Sequence, residues 1–150
     1  MKKILVPIDG SEYSDRAILK AKEIAKAFDS KVILLNIMSV VSAINYYPNM
    51  RYAHIDDWLK LVTKAKEHSK ELLETSKKAF GDIADQVEAV IIDEPGGNVA
   101  RVISDYANEN NIDLIVMGSN GMGSLSQRMY LGSVTTKVLH IVTKPVLVVQ

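Results

Sequence analysis

The sequence has no cysteine among its 150 residues, so disulfide bonds, thiolate metal sites and thiol catalysis are excluded. It also has no net charge, because 18 basic side chains balance 18 acidic ones. This balance argues against a surface for nucleic acid or for anionic membranes. The apolar run that follows Met1-Lys2-Lys3 is too short for a signal peptide or a membrane span. We therefore expect a cytoplasmic protein with no membrane contact.

What the sequence does contain is a regular alternation of short apolar runs and amphipathic segments. Its length and its 47% apolar content predict one domain over residues 1–150 with a proper core. Buried strands are predicted at 4–8, 31–38, 87–92, 114–117 and 145–149. The strands are apolar throughout rather than alternating, which predicts a parallel sheet covered on both faces, a three-layer α/β fold.

The segments between the strands have helical periodicity. The first begins near Ser11, ends at Asp29-Ser30 and shows one apolar face, formed by Ala17, Ile18, Ala21, Ile24, Ala25 and Phe28. The second begins near Trp58, stops at Gly81 and has a stripe of Leu61, Val62, Ala65, Leu72, Ala79 and Phe80. Two more helices are predicted after Asn98 and from about Val134. The intervening loop, 39–57, lacks periodicity, and its tyrosines 46, 47 and 52 either anchor it or form a lid or partner surface.

The most informative stretch is Gly118–Thr135, with the sequence GSNGMGSLSQRMYLGSVT. It follows a buried strand and leads into a helix. Glycines let backbone N–H groups approach a ligand, and a helix N-terminus adds unpaired N–H groups and the positive end of a dipole. Together these features predict a phosphate site.

A second motif, Asp9-Gly10-Ser11, follows the first strand. Ligands of open α/β sheets bind beyond the carboxyl ends of the strands, where the strand order reverses. If the first and fourth strands are neighbours, Asp9 and the glycine stretch face one crevice. The carboxylate of Asp9, after the first strand, then suits an adenine amine or a ribose hydroxyl. The glycine stretch, after the fourth strand, suits phosphates. The alternative is that Asp9 only caps the first turn. Pro7 fits a central strand only at its end, beside this crevice.

Other nucleotide-binding folds lack support in the sequence. There is no GxxxxGK[ST], which argues against a P-loop ATPase, and no GxGxxG after the first strand, which argues against a Rossmann dehydrogenase. His54, His68 and His140 share no metal-ligand spacing, and we assign them no catalytic role.

At these motifs the chain resembles the universal stress protein family over essentially its whole length. The segments KKILVPIDGSEYS and NNIDLIVMGSNG are similar to the family's opening strand and turn and to its fourth strand. ATP-binding members carry Gly-x2-Gly-x9-Gly-(Ser/Thr), which Gly118, Gly121 and Gly132-Ser133 match. The resemblance implies a Rossmann-like, adenine nucleotide alpha hydrolase-like sheet with strand order 3-2-1-4-5. It also implies a homodimer through the apolar edge strand, residues Pro145 to Val149.

The resemblance further implies roles for individual residues around ATP. Pro7 and Asp9 would border the adenine, Ile37 would pack on the adenine or ribose, and Met117 would be a further nucleotide-binding residue. Gly118 and Gly121 would approach the ribose and the α-phosphate. The β- and γ-phosphates would be held by Gly132, Ser133, Val134 and Thr135. A Mg²⁺ ion bridging the phosphates fits this arrangement, although no protein ligands for it are evident.

Two departures from the family pattern bear on whether these residue roles apply to this chain. Ten residues, Met122 to Leu131, separate Gly121 from Gly132 where the family has nine, and Asn120 stands where many members carry histidine. Arg128, in the same loop, either reaches a phosphate or is solvated.

The leading hypothesis is an ATP-binding stress or signalling module with at most slow hydrolysis, because no general base or Walker-type lysine is evident. One alternative is a family member that binds no nucleotide and acts through its dimer surface. The other is an adenylyl-transferring enzyme, for which the chain lacks the HxGH-like and SGGxDS signatures.

Overall fold

A computed structural model describes residues 1–39, 54–122 and 130–150. The strands within these ranges are β1 (Lys3–Pro7), β2 (Lys31–Met38), β3 (Val87–Asp93), β4 (Leu114–Gly118) and β5 (Val146–Val149). The helices are α1 (Glu12–Phe28), α2 (Ile55–Lys78), α3 (Val99–Glu109) and α4 (Ser133–Ile141), with a 3₁₀ helix at Gly81–Gln86. None of the described helices is both long enough and apolar enough to cross a bilayer.

The five strands form one parallel sheet in the order β3-β2-β1-β4-β5, which confirms the predicted fold class. Two apolar clusters cover its opposite faces. One joins the sheet to α1 and α2, through residues such as Ala17, Ala21 and Leu73, and includes Phe80, which follows α2. The other joins it to α3 and α4, through Ala100, Ile103, Ala107 and Val138. Successive strand side chains enter opposite clusters, Ile4 the first and Leu5 the second, so the central strands are apolar at every position.

Helix α1 begins and ends at the predicted signals. The Ser11 side chain accepts a 3.2 Å hydrogen bond from the amide of Ser14, and Asp29 adopts the left-handed conformation that ends the helix. The prediction that Phe28 is buried is wrong, since it is 58% exposed. Phe28 is the last residue of α1, three positions after the buried Ala25, so the apolar face continues about one turn past the last buried residue of the helix.

Helix α2 begins at Ile55, three residues before the predicted start at Trp58. Ile55 is 76% exposed, so this first turn adds no buried residue to the apolar stripe from which the start of the helix was predicted. The prediction that Ala79 is buried is also wrong, because it lies just past the helix end and is exposed. Gly81 follows with a positive φ of 58°, as expected of a residue that ends a helix. The tyrosines 46, 47 and 52 of the preceding loop lie outside the described residues.

Asp113, just before β4, is hydrogen-bonded to the start of β1. Its Oδ2 accepts hydrogen bonds from the backbone amides of Lys2, at 2.7 Å, and Lys3, at 2.9 Å. These two hydrogen bonds favour the carboxylate and lower the pKa of Asp113 below its usual value of 3.8. A carboxyl with a lowered pKa in the folded chain stabilises the fold above its unfolded pKa, and this stabilisation disappears as the pH falls through the folded pKa.

We therefore expect Asp113→Asn to lower the free energy of unfolding at pH 7, with the gap to the wild type closing below about pH 3.8. Urea titrations monitored by circular dichroism from pH 7 to pH 2.5 measure this gap. The matched control is Asp85→Asn, since Asp85 is exposed and the described residues give it no backbone amide donor. A gap for Asp113→Asn that stays constant down to pH 2.5 would contradict this account.

Candidate functional site

The tips of β1 and β4 lie side by side at the carboxyl edge of the sheet. β1 pairs with β2 on one side and with β4 on the other, and the strand order reverses between β1 and β4. After β1 the chain continues into α1 on one face, and after β4 it leads towards α4 on the opposite face. The two connections diverge and leave a crevice where ligands of open α/β sheets bind.

Pro7 closes β1 at this crevice, as the sequence predicts for a proline in a central strand. The chain then stays attached to β2, because the amide of Ile8 donates to the carbonyl of Leu35 at 2.9 Å. The buried amide group of Asn36 adds a second tie, donating from Nδ2 to the Ile8 carbonyl at 2.9 Å. Sequence reasoning missed Asn36, although a lone polar residue in the apolar run of β2 was the available signal. Ile37, beside it, is half-buried on the α3 and α4 face.

Asp9 links the two strand tips. Its Oδ1 accepts a hydrogen bond from the Ser11 amide at 2.9 Å, the local turn that the capping alternative describes. Its Oδ2 accepts from the amide of Met122, 113 residues further along the chain, at 3.2 Å. The structure thus brings Asp9 together with the start of the glycine stretch.

The three motif glycines lie where parts of the backbone come close together. A Cβ on Gly118 would lie 2.7 Å from Tyr13 Cβ and 2.8 Å from the Tyr13 carbonyl carbon, so α1 packs directly on the end of β4. A Cβ on Gly121 would lie 2.8 Å from Asp9 Oδ2, and one on Gly132 would lie 3.1 Å from Asn120 Cα. The absence of side chains at these positions allows the crevice to assemble.

Helix α4 is attached by its first turn to the tip of β4. The Gly132 amide donates to the Ser119 carbonyl at 2.8 Å, and the buried Thr135 hydroxyl donates to the Gly118 carbonyl at 2.9 Å. The Asn120 side chain closes the base of the glycine loop by donating to the Tyr130 carbonyl at 3.0 Å. The hydroxyl of Thr135 therefore donates within the protein, and its backbone amide is the group that could donate to a ligand.

The N-terminus of α4 offers backbone amides without intrahelical partners. The first hydrogen bond of the helix runs from the Thr136 amide to the Gly132 carbonyl, at 2.9 Å. The amides of Ser133, Val134 and Thr135 precede it, and the N-cap residue, Gly132, has no side chain to accept from them. Amides in this position, at the positive end of a helix dipole, are the groups that bind anions at helix N-termini in general. Residues 123–129, including Arg128, lie outside the described part of the chain.

The remaining sequence candidates lie as follows. Met117 is buried in β4 on the α3 and α4 face, next to Gly118. His68 and His140 are exposed on α2 and α4. His54 is exposed at the N-cap of α2, and its side chain makes no capping hydrogen bond. The structure therefore gathers the predicted site residues at one edge of the sheet and leaves these histidines on the surface.

Comparison with known proteins agrees with the geometry. A model of the universal stress protein family matches residues 1–150. Universal stress protein YxiE of Bacillus subtilis is 32% identical over 155 aligned residues, which cover 99% of this chain and 98% of that protein.

Solved structures of relatives have the same fold. That of MJ0577, a universal stress protein of Methanocaldococcus jannaschii, is 31% identical with a TM-score of 0.77, covering 99% of this chain and 94% of that one. A universal stress protein in complex with cAMP is 26% identical with a TM-score of 0.60, covering 99% and 96%. On its sequence, its strand order and the extent of these matches, the chain belongs to the universal stress protein family.

Proposed function

We propose that this protein binds an adenine nucleotide, with ATP as the preferred ligand, in the crevice between the tips of β1 and β4. The observation that carries the proposal is the uncapped N-terminus of α4, which the Gly132–Ser119 and Thr135–Gly118 hydrogen bonds hold beside the tip of β4. The relative solved with cAMP supports an adenine nucleotide as the ligand class. In this role the chain is a dimeric, cytoplasmic stress-response module.

The nucleotide would lie across the crevice with its phosphates at α4. The amides of Ser133, Val134 and Thr135 would bind the β- and γ-phosphates, since amides without a capping partner favour anions. The adenine and ribose would lie towards Pro7 and Ile37, at the ends of β1 and β2, with Met117 beneath. Gly118 and Gly121 would contribute by letting the backbone come close. A bound Mg²⁺ would bridge the phosphates and neutralise part of their charge.

The described site residues offer little for rapid phosphoryl transfer. The carboxylate of Asp9, at the end of β1, already accepts backbone hydrogen bonds on both of its oxygens. It is therefore poorly placed to take a proton from an attacking water. The other contacts at the phosphate end are backbone amides, which stabilise charge but do not activate a nucleophile. We accordingly propose a binding module with at most slow ATP hydrolysis.

A charge at Ser133 tests the phosphate position. Ser133 is exposed and is the first residue of α4, so Ser133→Glu is expected to stabilise the helix by about 0.3–1 kcal/mol through its dipole. The same carboxylate would repel a triphosphate and weaken ATP binding at least about tenfold. Calorimetric titration with ATP, with and without Mg²⁺, measures the affinity, and thermal unfolding measures the stability.

The control for that variant is Ser133→Gln, which has the same shape without the charge and should bind ATP nearly as the wild type does. Equal ATP affinities for wild type and Ser133→Glu would show that the phosphates bind elsewhere. A wild type that takes up no ATP and no other adenine nucleotide would refute the proposal and favour a family member that acts through its dimer surface.

The proposed homodimer would form through the outer edge of β5. This strand pairs with β4 on one side, and its four residues are apolar and only half-buried. On the β4 side, the carbonyl of Pro145, just before β5, accepts from the Ile115 amide at 2.9 Å, and the carbonyl of Val149 accepts at 2.8 Å from the amide of Ser119, which follows β4. Because backbone groups alternate between the two sides of a strand, the amide of Val148 points to the free edge. An exposed apolar edge of this kind favours pairing with a second copy.

Val148→Pro tests this edge, because proline removes the outward amide without removing an amide bonded to β4. We expect the dimer dissociation constant to rise at least about tenfold, through loss of two symmetry-related hydrogen bonds and poorer strand packing. Sedimentation equilibrium measures it. Val148→Thr retains the amide and the β-branched shape and serves as the control. If Val148→Pro dimerises like the wild type, then β5 is not the interface.

A further inference from the structure

We propose that Asp9 is a positioning residue for the phosphate end of the site. Its carboxylate holds the segment Ser119–Met122 in place. The position of that segment in turn determines how it contacts the start of α4. The inference rests on the proposed nucleotide site and deepens it. It assigns Asp9 a role different from the contact with adenine that the sequence implied, and different from a cap of the first turn alone.

The first argument is the use of the carboxylate oxygens. Oδ1 accepts from the Ser11 amide at 2.9 Å, and Oδ2 accepts from the Met122 amide at 3.2 Å. Each oxygen is thus bonded to the backbone of a different segment, one leading into α1 and one leading out of β4. A hydrogen bond to an ionised acceptor is about twice as strong as one between neutral groups, so the carboxylate joins the two tips effectively.

The second argument is the identity of residue 121. Its backbone is not in the left-handed region, so no turn conformation requires glycine there. Among the described residues, the one atom within 4 Å of a Cβ built at this position is Asp9 Oδ2, at 2.8 Å. Gly118 differs, because backbone atoms of Tyr13 block a Cβ there. Gly121 is therefore the residue that makes room for the Asp9 carboxylate.

The third argument is the path from Asp9 to the proposed phosphate site. The segment that Asp9 holds through Met122 contacts the start of α4 two residues earlier, because the Asn120 backbone packs against Gly132. The carbonyl of Ser119 accepts from the Gly132 amide at 2.8 Å, and Gly132 is the N-cap of α4. Moving the Gly121–Met122 backbone would therefore disturb the contacts that seat the first turn of α4.

Binding of three ligands separates this role from the alternatives: adenosine, inorganic tripolyphosphate and ATP. In Asp9→Ala we expect tripolyphosphate and ATP to lose affinity by a similar factor, about tenfold, while adenosine binds as it does to the wild type. A loss of affinity for these anions is informative, because removal of a nearby negative charge would by itself strengthen the binding of an anion. Asp15→Ala is the charge-matched control, since Asp15 is an exposed residue in the first turn of α1.

Other outcomes overturn the proposal. If adenosine and ATP weaken while tripolyphosphate does not, Asp9 contacts the base. If no affinity changes, it is only a local cap. If adenosine and tripolyphosphate weaken together with a large drop in melting temperature, Asp9 supports the fold in general.

A double-mutant cycle tests the pairing with Gly121. Gly121→Ala places a methyl group against Oδ2 and should reduce tripolyphosphate affinity to about the level of Asp9→Ala. In the Asp9→Ala background the same substitution should add almost nothing, because the obstructing atom is gone. Equal losses from Gly121→Ala in both backgrounds would overturn the assignment.

Amide hydrogen exchange judges the contact without any nucleotide. The Met122 amide of the ligand-free wild type should exchange more slowly than that of Asp9→Ala, by about tenfold. Equal exchange rates would overturn the proposal even if ATP binds. A wild type that binds neither ATP nor tripolyphosphate would refute the proposed function, and slow Met122 exchange would then still show that Asp9 joins the strand tips.

Discussion

The pairing of β1 with both β2 and β4 is the constraint on which the rest of the structure depends. Parallel strands place all their carboxyl ends at one edge, and a strand with neighbours on both sides must send its connection out of the sheet plane. The chain leaves β1 towards α1 on one face and leaves β4 towards α4 on the other. No connection among the described residues fills the space between these two exits, and the proposed nucleotide site lies there.

The glycines of the motif have a structural explanation that does not require a ligand. Gly118 accommodates the Tyr13 backbone of α1, Gly121 accommodates the Asp9 carboxylate, and Gly132 accommodates the backbone of Asn120. Close packing of these segments is what delivers unpaired amides to the crevice at the start of α4. The spacing of the motif thus reflects how two strand tips and two helix starts fit together, and the proposed anion binding would be a consequence of that fit.

Ser119 connects this site with the edge of the sheet. Its amide donates to the carbonyl of Val149 at the end of β5, and its carbonyl accepts from the amide of Gly132 at the start of α4. Ser119 is 4% exposed, so neither bond competes freely with water. The proposed nucleotide site and the proposed dimer edge therefore share one buried residue, and their geometries cannot be treated as independent.

Much of the architecture could be predicted from the sequence, because its physical signals are local. Strands such as Lys31–Met38 appear as unbroken apolar runs, since both faces of the sheet are covered. Ser11 and Asp29-Ser30 marked the ends of α1 through capping chemistry that spans a few residues. The strand order was implied by a family resemblance, and the observed order of the five strands confirms it.

The sequence by itself determined the strands, most helix ends and the two motifs, Asp9-Gly10-Ser11 and the glycine stretch, that follow the first and fourth strands. Only the tertiary structure decided that Phe28 is exposed, that Asn36 bonds to Ile8, and that Asp9 bonds to Met122. The physical reason is distance along the chain: a helix does not signal in its own residues which turns of its apolar face the core will cover. Nor can a carboxylate signal which amide, 113 residues away, will lie within hydrogen-bonding distance once the core has packed.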